Sequence, residues 1–189
     1  MKTNNSSIIT PRLLVVSGTD RPGSRTLMLA RQLCAVLKDI GSCPSLLDLS
    51  ALPPDFFSPS AYDSRKDPDR PEVREWMEAQ GLVFILPEYN GSFPGALKHY
   101  IDLLPFPAAL AGKSAAFVGL AAGQWGGGNA VAHLSAILAS RGAYIFPERV
   151  LIPGADEEIG EDFVAAAYAE RLARLCAGFQ IFTEKTATN

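Results

Sequence analysis

The chain has 189 residues, 48% hydrophobic and 20% charged, enough to bury one full core, and this composition excludes a disordered or fibrous protein. Its formal charge of -3 leaves no basic excess, which disfavours nucleic acid and anionic membranes as partners. No apolar run approaches the roughly 20 residues of a membrane span, and the opening MKTNNSSIIT lacks the sustained apolar stretch of a signal peptide. Three cysteines, Cys34, Cys43 and Cys176, form no C-x-x-C pair. They suit the reducing cytoplasm, with Cys34 and Cys176 packed as small apolar residues.

Arg12 to Ser17 is a short apolar run that ends at Gly18, as a buried strand does. A helix follows, with Ala30, Leu33, Cys34, Leu37 and Ile40 at i, i+3, i+4 spacing and Gly41 as its stop. Ser45 to Leu49 forms a second strand. Leu52 to Pro71 holds too many prolines for regular structure, and Pro71 opens a short helix through Gln80. Leu82 to Leu86 is apolar at every position, the pattern of a strand covered on both faces. Phe93 to Leu104 reads as a helix, Ser114 to Leu120 as a buried strand, Ala130 to Arg141 as a helix, and Ala143 to Phe146 as a fifth strand. Tyr168, Leu172, Leu175, Cys176 and Phe179 mark a closing amphipathic helix.

Alternating strands and helices predict right-handed crossovers and a parallel sheet with helices on both faces. One domain is expected over residues 1–189, with its first ten residues flexible. Ligands of such sheets sit at the carboxyl ends of the strands, so the loops there carry the functional information.

The first loop, Gly18 to Thr26, brings glycines, hydroxyls and Arg21 to a helix N-terminus. Backbone N–H groups, a helix dipole, hydroxyls and a guanidinium are what a phosphate requires. Thr19, Ser24 and Thr26 are candidate donors and Arg21 a candidate counter-ion, with Arg25 beside them. The same loop also reads as a plain turn with Ser24 as N-cap. Its outline resembles G-x-x-x-x-G-K-[ST], but Ser24 stands where lysine should be and Arg25 where the hydroxyl should be, so a phosphomonoester fits better than a triphosphate.

In the second loop, Pro87-Glu88-Tyr89-Asn90-Gly91-Ser92, the Asn90-Gly91 turn exposes backbone groups beside an aromatic ring. That suits a flat heteroaromatic ligand, or simply connects a strand to a helix. The third loop, Ala121 to Gly128, is glycine-rich around Gln124 and Trp125 and allows close approach of a ligand or of another backbone segment. Trp125 would cover a ring or pack at a subunit interface.

Together these residues resemble the NADPH-dependent FMN reductase family of flavodoxin-like proteins. The family carries G-S-x-R-x-x-S-x-N, then P-E-Y-N-x-x-x-P-G-x-L-K-N-x-x-D, then a glycine-rich loop. The chain matches with Gly18-Thr19, Arg21, Ser24 and Thr26, with Pro87 to Asn90, Pro94-Gly95, Leu97-Lys98 and Asp102, and with Gly123 and Gly126-Gly127. The resemblance implies a flavodoxin-like three-layer sandwich, a five-stranded parallel sheet in the order 2-1-3-4-5 with helices on both faces, and FMN as cofactor, with NADPH or NADH as hydride donor. By it, Thr19, Arg21, Ser24 and Thr26 hold the phosphate, Pro87 to Ser92 line the isoalloxazine, and Gly123 to Gly127 close over the other side.

The chain departs from the pattern at Thr19, at Thr26, at His99 in place of asparagine, and at Asp20, a negative charge near the phosphate site. The implied activity passes hydride from NADPH through FMN to a small acceptor: free flavin, a quinone, an azo compound or a metal ion. The alternative is a flavodoxin-like electron carrier or flavin-binding module without nicotinamide turnover. The resemblance also implies a homodimer or homotetramer; Phe93, Tyr100 and Phe106 either serve such an interface or are simply core.

No catalytic side chain or metal ligand set stands out, since hydride transfer through a flavin requires neither. His133 reads as a surface or packed histidine. Arg65, Lys66 and Arg70 read as a solvated charged loop, with a nicotinamide 2′-phosphate as the other use for them.

Overall fold

The computed structural model describes residues 10–63 and 67–187, so Arg65, Lys66 and the first nine residues of the segment read as flexible lie outside the described residues. Strands β1 (Leu13–Ser17), β2 (Ser45–Asp48), β3 (Gly81–Pro87), β4 (Ser114–Leu120) and β5 (Tyr144–Ile152) form one sheet in the order 2-1-3-4-5, every pairing parallel. Helices α1 (Arg25–Asp39), α2 (Pro71–Glu78), α3 (Gly95–Asp102), α4 (Gly128–Ser140), α5 (Ala155–Glu158) and α6 (Ala166–Ala187) complete the fold. The parallel sheet is the one expected from the pattern of elements, and its strand order is the flavodoxin-like one that the family resemblance implies.

The three central strands are buried at every residue, because helices cover both faces. Leu13, Val15, Val83, Ile85, Ala116 and Val118 pack against α1 and α6 on one side. Leu14, Val16, Leu82, Phe84 and Phe117 pack against α2, α3 and α4 on the other, where Trp76 and Tyr100 fill the layer. The period-2 alternation of β1 therefore divides a uniformly apolar run between two cores.

Several boundaries differ from the sequence expectation for physical reasons. β5 runs on to Ile152 instead of stopping near Phe146. It is an edge strand, where Pro147 is tolerated; Phe146, Pro147 and Glu148 bulge out between the Ala115–Ile145 and Phe117–Arg149 pairs. α3 begins only at Gly95, because Pro94 has extended geometry as its N-cap. The proline-rich stretch contains two single 3-10 turns, Pro54–Phe57 and Pro59–Tyr62, that bury Phe56 and Ala61.

One reading is corrected and another is decided. Arg70 is not part of a solvated loop: it is buried, a guanidinium nitrogen donates to the Leu103 carbonyl at 2.6 Å, and the group lies 5.5 Å from the Phe56 ring centre. For Tyr100, left open between interface and core, the structure decides for core, with no exposed surface and its hydroxyl donating to the Glu72 carbonyl at 2.9 Å. Cys34 and Cys176 are buried as expected, and Cys43 is exposed. Burial raises the Cys34 thiol to about 11 and the Cys176 thiol to about 12. Among the described residues no helix is long and apolar enough to cross a membrane.

Candidate functional site

The loops after β1, β3 and β4 converge at the carboxyl end of the sheet. Gly18 leaves β1 with its N–H on the Ile85 carbonyl at 2.9 Å, and a Cβ there would approach that same oxygen at 2.7 Å. The backbones of β1 and β3 are thus held too close for any side chain at this position. Thr19 is buried beneath the loop: its hydroxyl donates to Tyr89 Oη at 3.3 Å and accepts from the Arg21 N–H at 3.2 Å.

Ser24 is the N-cap of α1, its Oγ accepting from the Leu27 N–H at 3.2 Å, while its carbonyl takes the Met28 N–H at 3.1 Å. The N–H groups of Gly23, Arg25 and Thr26 find no acceptor among the described residues. Ser24 is thus the N-cap that the plain-turn reading expected, and it stands beside unpaired donors at the positive end of the α1 dipole.

The second loop is tied to both neighbours. The Glu88 N–H donates to the Leu120 carbonyl at 2.9 Å. Tyr89 and Ser92 exchange backbone hydrogen bonds at 2.8 and 3.1 Å across Asn90 and Gly91, which have φ of 51° and 78°, the pair of left-handed residues that a type I′ turn requires. The carboxylate of Glu88 accepts from the Asn129 N–H and from Asn129 Nδ2, both at 3.1 Å. The N-cap of α4 is Gly127, which has no side chain, so Glu88 caps that helix from another loop. One turn further along α4, the exposed His133 holds Ser92 Oγ at 2.9 Å through Nδ1.

The glycine-rich loop is shaped by its approach to the sheet. Gly127 has φ of 82°, and a Cβ there would lie 2.5 Å from the Leu120 nitrogen and 2.9 Å from backbone atoms of Gly119. Gly126 has φ of 55°, with a Cβ 2.8 Å from the Ile152 nitrogen. Gly123, by contrast, faces open space. Trp125 at the tip is 73% exposed.

Between these loops lies an open cavity of about 450 Å³, within the range of roughly 300–1,000 Å³ usual for cofactor sites. Of the predicted residues, Arg21, Ser24, Arg25, Thr26, Pro87, Glu88 and Tyr89 line it. Thr19 braces the wall from beneath, and Asn90, Gly91, Ser92, Gly123, Gln124, Trp125, Gly126 and Gly127 lie outside the lining.

Sequence reasoning missed Met28, Leu120, Ala155 and Asp156, which do line the cavity. The last two follow β5, and the rule of inspecting each strand's carboxyl end would have found them had that strand not been ended at Phe146. Asp20 is exposed and is not in the lining; the carboxylate that is there, besides Glu88, belongs to Asp156. Its Oδ1 lies 3.7 Å from Arg25 Nε.

A family model described as NADPH-dependent FMN reductase matches residues 11–157. Among curated relatives, an NADPH azoreductase of Bacillus sp. (strain OY1-2) is 29% identical over 156 residues, 80% of this chain and 83% of the relative. A 2-hydroxy-1,4-benzoquinone reductase of Burkholderia sp is 31% identical over 136 residues, 68% of this chain and 70% of the relative. The solved structure of FerB, a flavoenzyme NAD(P)H:(acceptor) oxidoreductase from Paracoccus denitrificans, superposes with a TM-score of 0.71 at 25% identity, covering 93% of this chain and 98% of that one.

Proposed function

The chain belongs to the NADPH-dependent FMN reductase family, and from that premise we propose how its own residues serve an FMN-dependent NAD(P)H oxidoreductase. The observation that carries the reading is the cavity at the head of α1, where the unpaired N–H groups of Gly23, Arg25 and Thr26 meet Arg21 and Arg25. Donors, dipole and guanidinium together fit a phosphomonoester, and the rest of the cavity has room for a planar ring.

Arg21, Ser24, Arg25 and Thr26 hold the phosphate, with Thr19 keeping the loop in shape. Pro87, Glu88 and Tyr89 form the ring side, supported from behind by Asn90, Gly91 and Ser92. Gly123 to Gly127, with Gln124 and Trp125, lie outside the cavity lining and in this reading would close over the other side of the flavin once it is bound. FMN held there would supply the redox chemistry, hydride acceptance from NAD(P)H and electron delivery to a small acceptor such as free flavin, a quinone, an azo compound or an oxidised metal ion.

No protein nucleophile or general base is required for that reaction; the chain binds, orients and leaves one side of the site accessible. Coverage of nearly the full length by FerB supports a single domain. We further infer a homodimer or homotetramer acting in the cytoplasm, the assembly to be measured by analytical ultracentrifugation.

The direct test is anaerobic addition of NADPH to the FMN-loaded protein. Loss of flavin absorbance near about 450 nm within turnover time is expected. A spectrum that stays oxidised with NADPH and NADH, yet bleaches with a reduced partner protein, would replace the reductase reading by that of an electron carrier.

A further inference from the structure

We propose that Asp156 determines how weakly this site discriminates FMN from unphosphorylated riboflavin, by restraining Arg25 and by opposing the phosphate directly. The inference rests on the FMN reading above and concerns a residue outside the three family motifs.

Asp156 and Arg25 both line the cavity, and Asp156 Oδ1 sits 3.7 Å from Arg25 Nε. Arg25 Nη1 also lies 3.7 Å from Met28 Sδ, so the guanidinium rests along the wall between Met28 and α5. The other acid in the lining, Glu88, is already engaged by the Asn129 N–H and side-chain amide. The carboxylate of Asp156 has no recorded partner but Arg25 among the described residues. One of the two arginines available to an anion is therefore shared with a carboxylate.

A phosphate monoester carries about -1.5 to -2 charge near neutral pH. On entering it must either draw Arg25 from Asp156 or accept that carboxylate as a neighbour. Both costs fall on the phosphorylated ligand alone, because the ring side, formed by Pro87 and Tyr89, is untouched. The pair is open to solvent, at 39% and 76% side-chain exposure, so the effect is modest in size. It makes FMN an exchangeable ligand and brings its affinity closer to that of riboflavin.

The experiment is a fluorescence titration of the apoprotein with FMN and, separately, with riboflavin. It compares the wild type with Asp156→Asn and with Glu157→Gln, the latter changing charge equally on the same helix but outside the cavity lining. Asp156→Asn is expected to tighten FMN by about three- to tenfold, with slower FMN release, and to leave riboflavin within about twofold. Glu157→Gln is expected to shift FMN by less than about twofold. An equal shift for both flavins, no shift for FMN, or the same gain from Glu157→Gln would overturn the proposal while leaving the FMN reading intact. A wild type that binds neither flavin would overturn both.

Discussion

Replacing Gly127 by alanine separates two uses of the glycine-rich loop. If Gly127 matters only for ligand approach, the apoprotein should tolerate the change. The structure gives another outcome: Gly127 has φ of 82°, and the added methyl would lie 2.5 Å from the Leu120 nitrogen and 2.9 Å from two Gly119 backbone atoms. The left-handed conformation costs an L-residue about 1–2 kcal/mol. Backbone displacement at β4 adds about 1–3 kcal/mol, since none of the blocking atoms is a flexible side chain.

A loss of about 3 kcal/mol is a large share of the roughly 5–15 kcal/mol typical of a folded domain. With a urea slope of about 2 kcal/mol/M, the unfolding midpoint of the apoprotein should fall by about 1.5 M. Gly123→Ala is the control, because its Cβ meets nothing within 4 Å, and its midpoint should not move. Equal midpoints for wild type and Gly127→Ala, measured without flavin, would refute the close-approach explanation.

Arg21→Ala should weaken FMN binding by about tenfold, the value of one charge-assisted contact, and leave riboflavin unchanged; paired fluorescence titrations check this. Glu88→Ala removes the cap of α4 and should cost about 1 kcal/mol in urea unfolding, whereas Glu88→Gln, which keeps an acceptor for the Asn129 N–H, should cost less. Cys43 alone should react rapidly with a thiol reagent in the native protein, and all three cysteines after denaturation. Cys34 and Cys176 ionise in the folded chain only at about 11 and about 12, against an ordinary 9.0. From pH 9 upward the unfolded chain therefore sheds thiol protons that the folded chain keeps. Their contribution to stability is present below pH 9 and fades through pH 12, so urea midpoints should fall over that window.

The central strands were legible because a strand covered on both faces must be apolar throughout, and Leu82 to Leu86 is such a run, its shortness and the flanking Gly81 and Pro87 favouring strand over buried helix. The first two loops were legible because glycine, hydroxyl and proline positions carry their local geometry in the sequence. The length of β5 was not, since Pro147 looks like a terminator until its edge position is known. With the end of β5 went Asp156, which lines the cavity beside Arg25 but comes from a segment outside the motifs. Arg70 was misread and Tyr100 left undecided for a common reason: a buried arginine or tyrosine is made tolerable by a distant carbonyl, Leu103 for one and Glu72 for the other. Spacing along the chain cannot reveal such a partner. The roles of Gly126 and Gly127 were hidden likewise, because the atoms they avoid belong to β4 and to the end of β5.

The interruption at Pro147 has a consequence for colloidal behaviour. An uninterrupted nine-residue border strand would offer a neighbouring molecule a ready template for continuing the sheet. Here the border offers no amide hydrogen at Pro147 and loses regular spacing where three residues oppose Ala116 alone. The opposite border, β2, spans just four residues. Both margins are thus poor starting points for fibril-like growth, and a crowded solution of this protein has few places where cross-molecular strand pairing can begin.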